Sequence, residues 1–136
     1  MEKSNGRVLI VEDDMLLSLV EEKLLKKLGY SIVGKAVYGE EAIRKVEKFN
    51  PDIVMMDISL KGTDDGIDTM KKIRRFSSVP VIYLSGSTDK HSIERAKKTN
   101  FVDFLIKPVS EQELKGPLVK AMNINKEADR NLSFAS

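Results

Sequence analysis

Short apolar runs alternate with longer amphipathic stretches along the whole chain. Val8-Leu9-Ile10-Val11 and Ile53-Val54-Met55-Met56 are compact, rich in branched residues and bounded by polar ones. That is the pattern of interior strands buried on both faces of a parallel sheet. Tyr30–Ala36, Val81-Ile82-Tyr83-Leu84 after Pro80, and Phe101–Ile106 read as three more strands. Between them the apolar period changes from strand to helix. Leu17, Val20, Leu24 and Leu28 recur at helical spacing behind Asp13 or Asp14, either of which can cap the helix, and Gly29 stops it. Gly39 opens a second helix with Ala42, Ile43, Val46 and Phe49 inward, closed by Asn50-Pro51. Ile67, Met70 and Ile73 mark a third. Asp89 caps a fourth, through about Lys98, with the weakest apolar pattern of all. Ser110 with Glu113 three residues on forms a capping box for the fifth. Strict strand–helix alternation predicts a doubly wound α/β sheet with right-handed crossovers.

Composition narrows the class. At 136 residues and 41% hydrophobic, the chain is long enough for one core and short for two. The net charge of +2 is spread over many charges of both signs, with no basic arm that would point to nucleic acid. The absence of cysteine excludes disulfides and thiolate metal sites, and a single histidine argues against a histidine metal site. The start is polar, without the apolar stretch of a signal peptide. Nothing approaches the roughly 20 apolar residues that span a bilayer. A cytoplasmic protein with no membrane contact is expected.

Candidate chemistry collects at the strand ends. Glu12-Asp13-Asp14 follow the first strand and Asp57 ends the third. In a parallel sheet the carboxyl ends share one edge, where ligands bind. Close carboxylates there repel by about 4 kcal/mol per pair at an effective dielectric near 20, a cost most readily met by a cation among them. Ser85 after the fourth strand and Lys107-Pro108 after the fifth reach the same edge.

These four stretches, namely Val8 to Asp14, Asp52 to Asp57, Pro80 to Gly86 and Asp103 to Pro108, resemble the receiver domains of two-component response regulators. The likeness extends from about Arg7 to Met122. It implies a flavodoxin-like (βα)5 fold, with a five-stranded parallel sheet in order 2-1-3-4-5 and helices on both faces. It also implies that Asp57 is a phosphoacceptor, and that Mg²⁺ (or Mn²⁺) is held by Glu12, Asp13, Asp57 and the backbone carbonyl of Ser59. Glu12 is longer than the aspartate common at its position, which allows binding through water. Lys107 is implied to pair with the phosphoryl oxygens across a cis Lys107-Pro108 bond, and Ser85 to donate a hydroxyl. Phe104 matches an aromatic switch position that is often Tyr. His91, at the exposed start of the fourth helix, reads as a solvated residue, and Met55-Met56 as core.

The chain departs from the commoner pattern twice. The loop from Ile58 to Asp65 is longer and has Lys61 where Pro is usual, which leaves the start of the third helix open. Gly116-Pro117 fall inside the fifth helix, where a kink or restart is expected. The reading is a receiver domain over residues 6–124 with a frayed tail over 125–136. It would act as a phosphoacceptor regulator, itself no enzyme, with a histidine kinase or phosphotransfer protein upstream and an unidentified protein downstream. A homodimer through the helix 4/strand 5/helix 5 face is one arrangement the family offers. Too few residues follow Met122 for an output domain, so a single-domain regulator and a receiver excised from a hybrid histidine kinase stay open. The rivals are a Mg²⁺-dependent phosphatase with an Asp nucleophile and a receiver-like interaction module. The first commonly places a second acid two residues beyond the nucleophile, where this chain has Ser59. Intact Asp57, Ser85 and Lys107 argue against the second.

Overall fold

The computed structural model describes residues 3–135, with side chains through Asn131. Five strands and five helices alternate: β1 (Arg7–Val11), α1 (Met15–Lys27), β2 (Ser31–Ala36), α2 (Gly39–Phe49), β3 (Ile53–Asp57), α3 (Gly66–Ile73), β4 (Val81–Ser85), α4 (Lys90–Lys97), β5 (Asp103–Ile106) and α5 (Glu111–Ala135). All strand pairs are parallel, in the order β2-β1-β3-β4-β5. The expected α/β sheet and its order are therefore both present.

Strand alternation divides the core into two layers. Leu9, Val11, Val54, Met56, Val81 and Tyr83 point toward α2, α3 and α4, where Ala42, Val46, Ile67, Met70, Ile73 and Ala96 meet them. Val8, Ile10, Ile53, Met55, Ile82 and Leu84 point the other way, against Leu25 of α1 and Leu114, Leu118 and Ala121 of α5. Both faces of the sheet are covered, which is why its central strands read as unbroken apolar runs.

The helix ends follow local chemistry. Asp14 caps α1, its carboxylate accepting from the amides of Leu16 at 2.9 Å and Leu17 at 3.0 Å. That leaves Asp13 free for other work. At the far end Gly29 takes φ +93°, while its amide donates to the Lys26 carbonyl and that of Tyr30 to the Leu25 carbonyl, each at 3.0 Å. This is a Schellman closure, and it takes Tyr30 out of the strand it was expected to start. Asp65 caps α3 in a reciprocal box with Asp68, which settles where the third helix begins after its long loop. Ser110 and Glu113 form the expected box at α5, both bonds at 3.1 Å.

Three expectations are corrected. Val20 is 44% exposed, because the inward stripe of α1 is Ser18, Glu21 and Leu25. Of the kink or restart expected at Pro117, the restart does not occur: α5 runs on past it as one helix. The bond Pro117 cannot make lies near the helix start, and fully buried Leu114 and Leu118 hold the chain on either side. Residues 125–135, expected as a tail, are helical and continue α5. Asn125 pins the crossing point, its side-chain amide donating to the Asp52 carbonyl at 2.8 Å.

Candidate phosphoacceptor and metal site

Register brings the site together. Val11 pairs with Met56, so Glu12 emerges level with Asp57, while Asp57 pairs with Leu84 and Ser85 with Ile106. Glu12, Asp57, Ser85 and Lys107 thus leave four neighbouring strands at one edge. One carboxylate oxygen each from Glu12, Asp13 and Asp57 lie within 4.8 Å of one another.

Only one side chain among the described residues balances these acids directly. Lys107 Nζ stands 3.3 Å from Glu12 Oε1 and 3.2 Å from Asp57 Oδ1. Both acids are almost wholly buried, at 1% exposure each. The Lys107–Pro108 peptide is cis, as the resemblance implied. Backbone amides add partial positive charge: Ser59 N–H donates to Asp57 Oδ1 at 3.0 Å, Asp14 N–H to Glu12 Oε2 at 3.2 Å and Lys61 N–H to Asp13 Oδ2 at 3.2 Å. The last bond folds the long β3–α3 loop over the acids. Burial, and then Glu12 beside it, push the Asp57 carboxyl above its ordinary value, against the pull of Lys107 and the Ser59 amide. Burial disfavours the Lys107 charge, but Asp57 and Glu12 outweigh it and hold the ammonium above its usual value. These oxygen donors fit a hard divalent cation such as Mg²⁺, which takes few carboxylates and keeps several waters. Three carboxylates against one ammonium leave the charge deficit that such a cation removes.

Ser85 reaches the same edge, while Phe104 sits two residues back from the end of β5. Ser85 Oγ donates to the Ser87 carbonyl at 2.8 Å and accepts from the Ser87 amide at 3.3 Å. Phe104, half-buried, sits opposite Tyr83 in register, with ring centroids 6.2 Å apart, and 6.2 Å from Phe101. His91 is exposed on α4, and Met55 and Met56 are core.

Sequence reasoning missed Glu21. It is 4% exposed on α1, faces Glu12 and is pushed up to about 9, first by burial and then by the hydrogen bond with Glu12. The signal was available: Glu21 stands four residues after Leu17 and three before Leu24, a charged residue on an apolar stripe.

The comparisons with known proteins agree with this geometry. The family signature for the response regulator receiver domain matches residues 8–118. The transcriptional regulatory protein PdtaR of Mycobacterium tuberculosis is 35% identical over 108 residues, 79% of this chain and 52% of its own length. The chain thus spans about half the length of that relative. The chemotaxis protein CheY of Thermotoga maritima is 34% identical over 75% of this chain and 85% of its own. Among solved structures, the signal receiver domain of a modulated diguanylate cyclase from Desulfovibrio desulfuricans G20 superposes with a TM-score of 0.84 at 34% identity, covering 90% of this chain and 98% of that domain. Parallel order, four strand-end motifs and a buried aspartate beside a lysine have one common explanation: the chain belongs to the response regulator receiver domain family.

Proposed function

We propose that Asp57 accepts a phosphoryl group from a phosphohistidine of a histidine kinase or phosphotransfer protein, and that the chain signals by the change this produces. The observation that carries the reading is the buried Asp57 carboxylate held between Lys107 at 3.2 Å and the acids Glu12 and Asp13. An Asp57 oxygen attacks phosphorus, forming the acyl phosphate O–P bond as the P–N bond breaks and the imidazole leaves with its electron pair. The Ser59 amide and Lys107 fix the direction of the attacking carboxylate, and Lys107 then pairs with the phosphoryl oxygens as a charge-assisted donor. Glu12, Asp13, Asp57 and the Ser59 carbonyl would hold Mg²⁺, which when bound neutralises charge on the transferring group.

Ser85 is free to rotate from the Ser87 carbonyl toward the new oxygens, and Phe104 to follow it inward. That biases a two-state equilibrium at the α4/β5/α5 face. Phe104 has no hydroxyl, so its movement is signalled by shape alone. This face would meet a downstream protein or a second copy of the chain, in the cytoplasm and without direct contact to nucleic acid or membrane. Among the described residues no helix is long and apolar enough to cross a membrane. The reading makes the chain a regulator that turns over only its own phosphoryl group. Ser59, where Asp-nucleophile phosphatases commonly carry a second acid, supports that distinction.

The test is intact mass after incubation with acetyl phosphate and Mg²⁺. Wild type should gain one phosphoryl group, as should a His91→Ala control, whereas Asp57→Asn should gain none. Asp57→Asn should stay folded and be at least as stable without metal, because it removes one of the crowded charges. A phosphoryl group retained in Asp57→Asn would overturn the assignment.

A further inference from the structure

Helix α4 has little apolar anchorage. Of its eight residues only Ala96 is buried, whereas helices in proteins are held chiefly by packing an apolar face. The ion-pair tie of its own side chains to another element runs to the start of α3. Arg95 Nη1 lies 2.8 Å from Asp65 Oδ2, and Arg95 Nη2 lies 3.2 Å from Asp65 Oδ1 and 2.9 Å from Asp68 Oδ1. Exposed single ion pairs contribute little, but a forked guanidinium on two carboxylates is the geometry in which they do. The receiving end is rigid, because Asp65 and Asp68 already cap α3 reciprocally. All three side chains are substantially shielded, at 25%, 29% and 39% exposure.

The start of α3 is in turn pressed against the phosphoacceptor strand. The Gly66 amide donates to the Ile58 carbonyl at 2.9 Å. A Cβ at Gly66 would stand 2.2 Å from the Asp57 carbonyl oxygen, so no other residue allows this approach without a shift. Asp57, Gly66, Asp65, Arg95 and α4 therefore form one line of contact from the strand end to the clamp.

We propose that the clamp of Arg95 on Asp65 and Asp68 is a latch that holds α4 in its resting arrangement against the start of α3, beside the end of the strand carrying Asp57. Its role in signalling rests on Asp57 being the phosphoacceptor, but its action in the unmodified protein does not. With the latch closed, α4 is held from both ends of Arg95's fork. With it open, α4 keeps only its C-terminal ties, where Thr99 Oγ1 bonds the Ala96 carbonyl and the Tyr83 hydroxyl at 2.6 Å each, so its first turns are released to move and the α4/β5/α5 face changes with them.

Amide hydrogen exchange on the full chain tests this in two arms. In the first, the protein is unphosphorylated and metal-free. Arg95→Gln should make the amides of α4 exchange about tenfold faster while those of β1, β3 and α3 keep their rates. Asp65→Asn, which retains the cap because asparagine caps as well as aspartate, should act in the same direction. The double variant should be no faster than Arg95→Gln alone, since the tie is already broken. Unchanged α4 exchange in Arg95→Gln would overturn the latch. So would acceleration spread evenly over the chain, which marks a residue that serves only global stability. In the second arm, acetyl phosphate and Mg²⁺ are added and uptake is read by mass. Phosphorylated wild type should approach the α4 exchange of Arg95→Gln, and phosphorylation of Arg95→Gln should add little. Uptake without any α4 response in wild type would remove the latch from signalling. No uptake by wild type would instead defeat the phosphoacceptor assignment, with the first arm still deciding whether the latch exists.

Discussion

Lys107 Nζ stands 3.2 Å from Asp57 Oδ1, and the pair is shielded from solvent, the side chains exposing 16% and 1%. The ammonium holds together an edge where Glu12, Asp57 and Glu21 are all buried. Lys107→Ala should therefore destabilise the metal-free protein by about 3 kcal/mol, the usual scale for leaving a buried charge without its partner. Millimolar Mg²⁺ should recover part of that loss by supplying another cation. Chemical denaturation with and without Mg²⁺ reads both effects. A variant as stable as wild type in metal-free buffer would show that Lys107 is not balancing these acids. Uptake of phosphoryl by Lys107→Ala should persist, because the nucleophile is intact, while the response at Phe104 weakens.

Asp13 contributes to the acid cluster but does not cap α1, a task done by Asp14. Asp13→Ala should therefore weaken Mg²⁺ or Mn²⁺ binding at least tenfold while leaving helix content unchanged. Asp14→Ala should do the reverse, costing about 1 kcal/mol of stability with little change in metal affinity. Metal titrations followed calorimetrically separate the two. Equal affinity in Asp13→Ala would take that residue out of the site.

Ser59 and Ser87 stand two residues beyond Asp57 and Ser85, respectively. If Asp57 carries a phosphoryl group as proposed, positions two residues past it and past Ser85 are where the resemblance to receiver domains puts the approach of the hydrolysing water, and two small uncharged serines would neither block nor orient it. A bulky or charged replacement at either should change the rate of phosphate loss several-fold while altering uptake less. Following the decay of the phosphorylated mass gives the answer. Indifference of the decay to both positions would exclude them from the path of that water.

Glu21 gives the protein a pH dependence with a definite sign. Its carboxyl is raised from 4.5 to about 9, so the folded protein keeps a proton that the unfolded chain releases between those values. The associated stability is complete below 4.5 and is lost as pH rises through about 9. Glu21→Gln keeps the shape and cannot ionise. In metal-free buffer it should lose less stability between about pH 6 and 9 than wild type does, by roughly 1–3 kcal/mol. Parallel curves for the two proteins would place an ionised Glu21 in the folded state.

The strands and the site at their ends were legible because their determinants are local. A doubly buried parallel strand needs an unbroken apolar run, and five such runs between helical patterns leave few other folds. Asp57 and Lys107 could be marked because each directly follows a run. Ser110 could be marked as a cap, and the α1 cap narrowed to Asp13 or Asp14, because capping reaches only two or three residues.

What the tertiary structure decided depends on contacts between segments far apart in the chain. Which of two adjacent acids caps α1 and which joins Glu12 and Asp57 is visible only in the packed chain, where the Lys61 amide, 48 residues beyond Asp13, bonds the latter. The burial of Glu21 and exposure of Val20 follow from the rotation of α1 against the sheet, which a helical period alone does not set. Pro117 looked like a break, yet Leu114 and Leu118 are buried deeply enough to carry the helix through it. Beyond Asn123 the chain is polar enough to read as a tail, and it is Asn125 reaching the Asp52 carbonyl that ties the continuing helix down. Arg95, Asp65 and Asp68 are ordinary surface residues in the sequence, and only the docking of α4 beside α3 makes them a clamp. Local pattern dictates where elements begin and what they bury on average. Ion pairs and side-chain to backbone bonds between elements act over a few ångströms, so they exist only once the fold has set those distances.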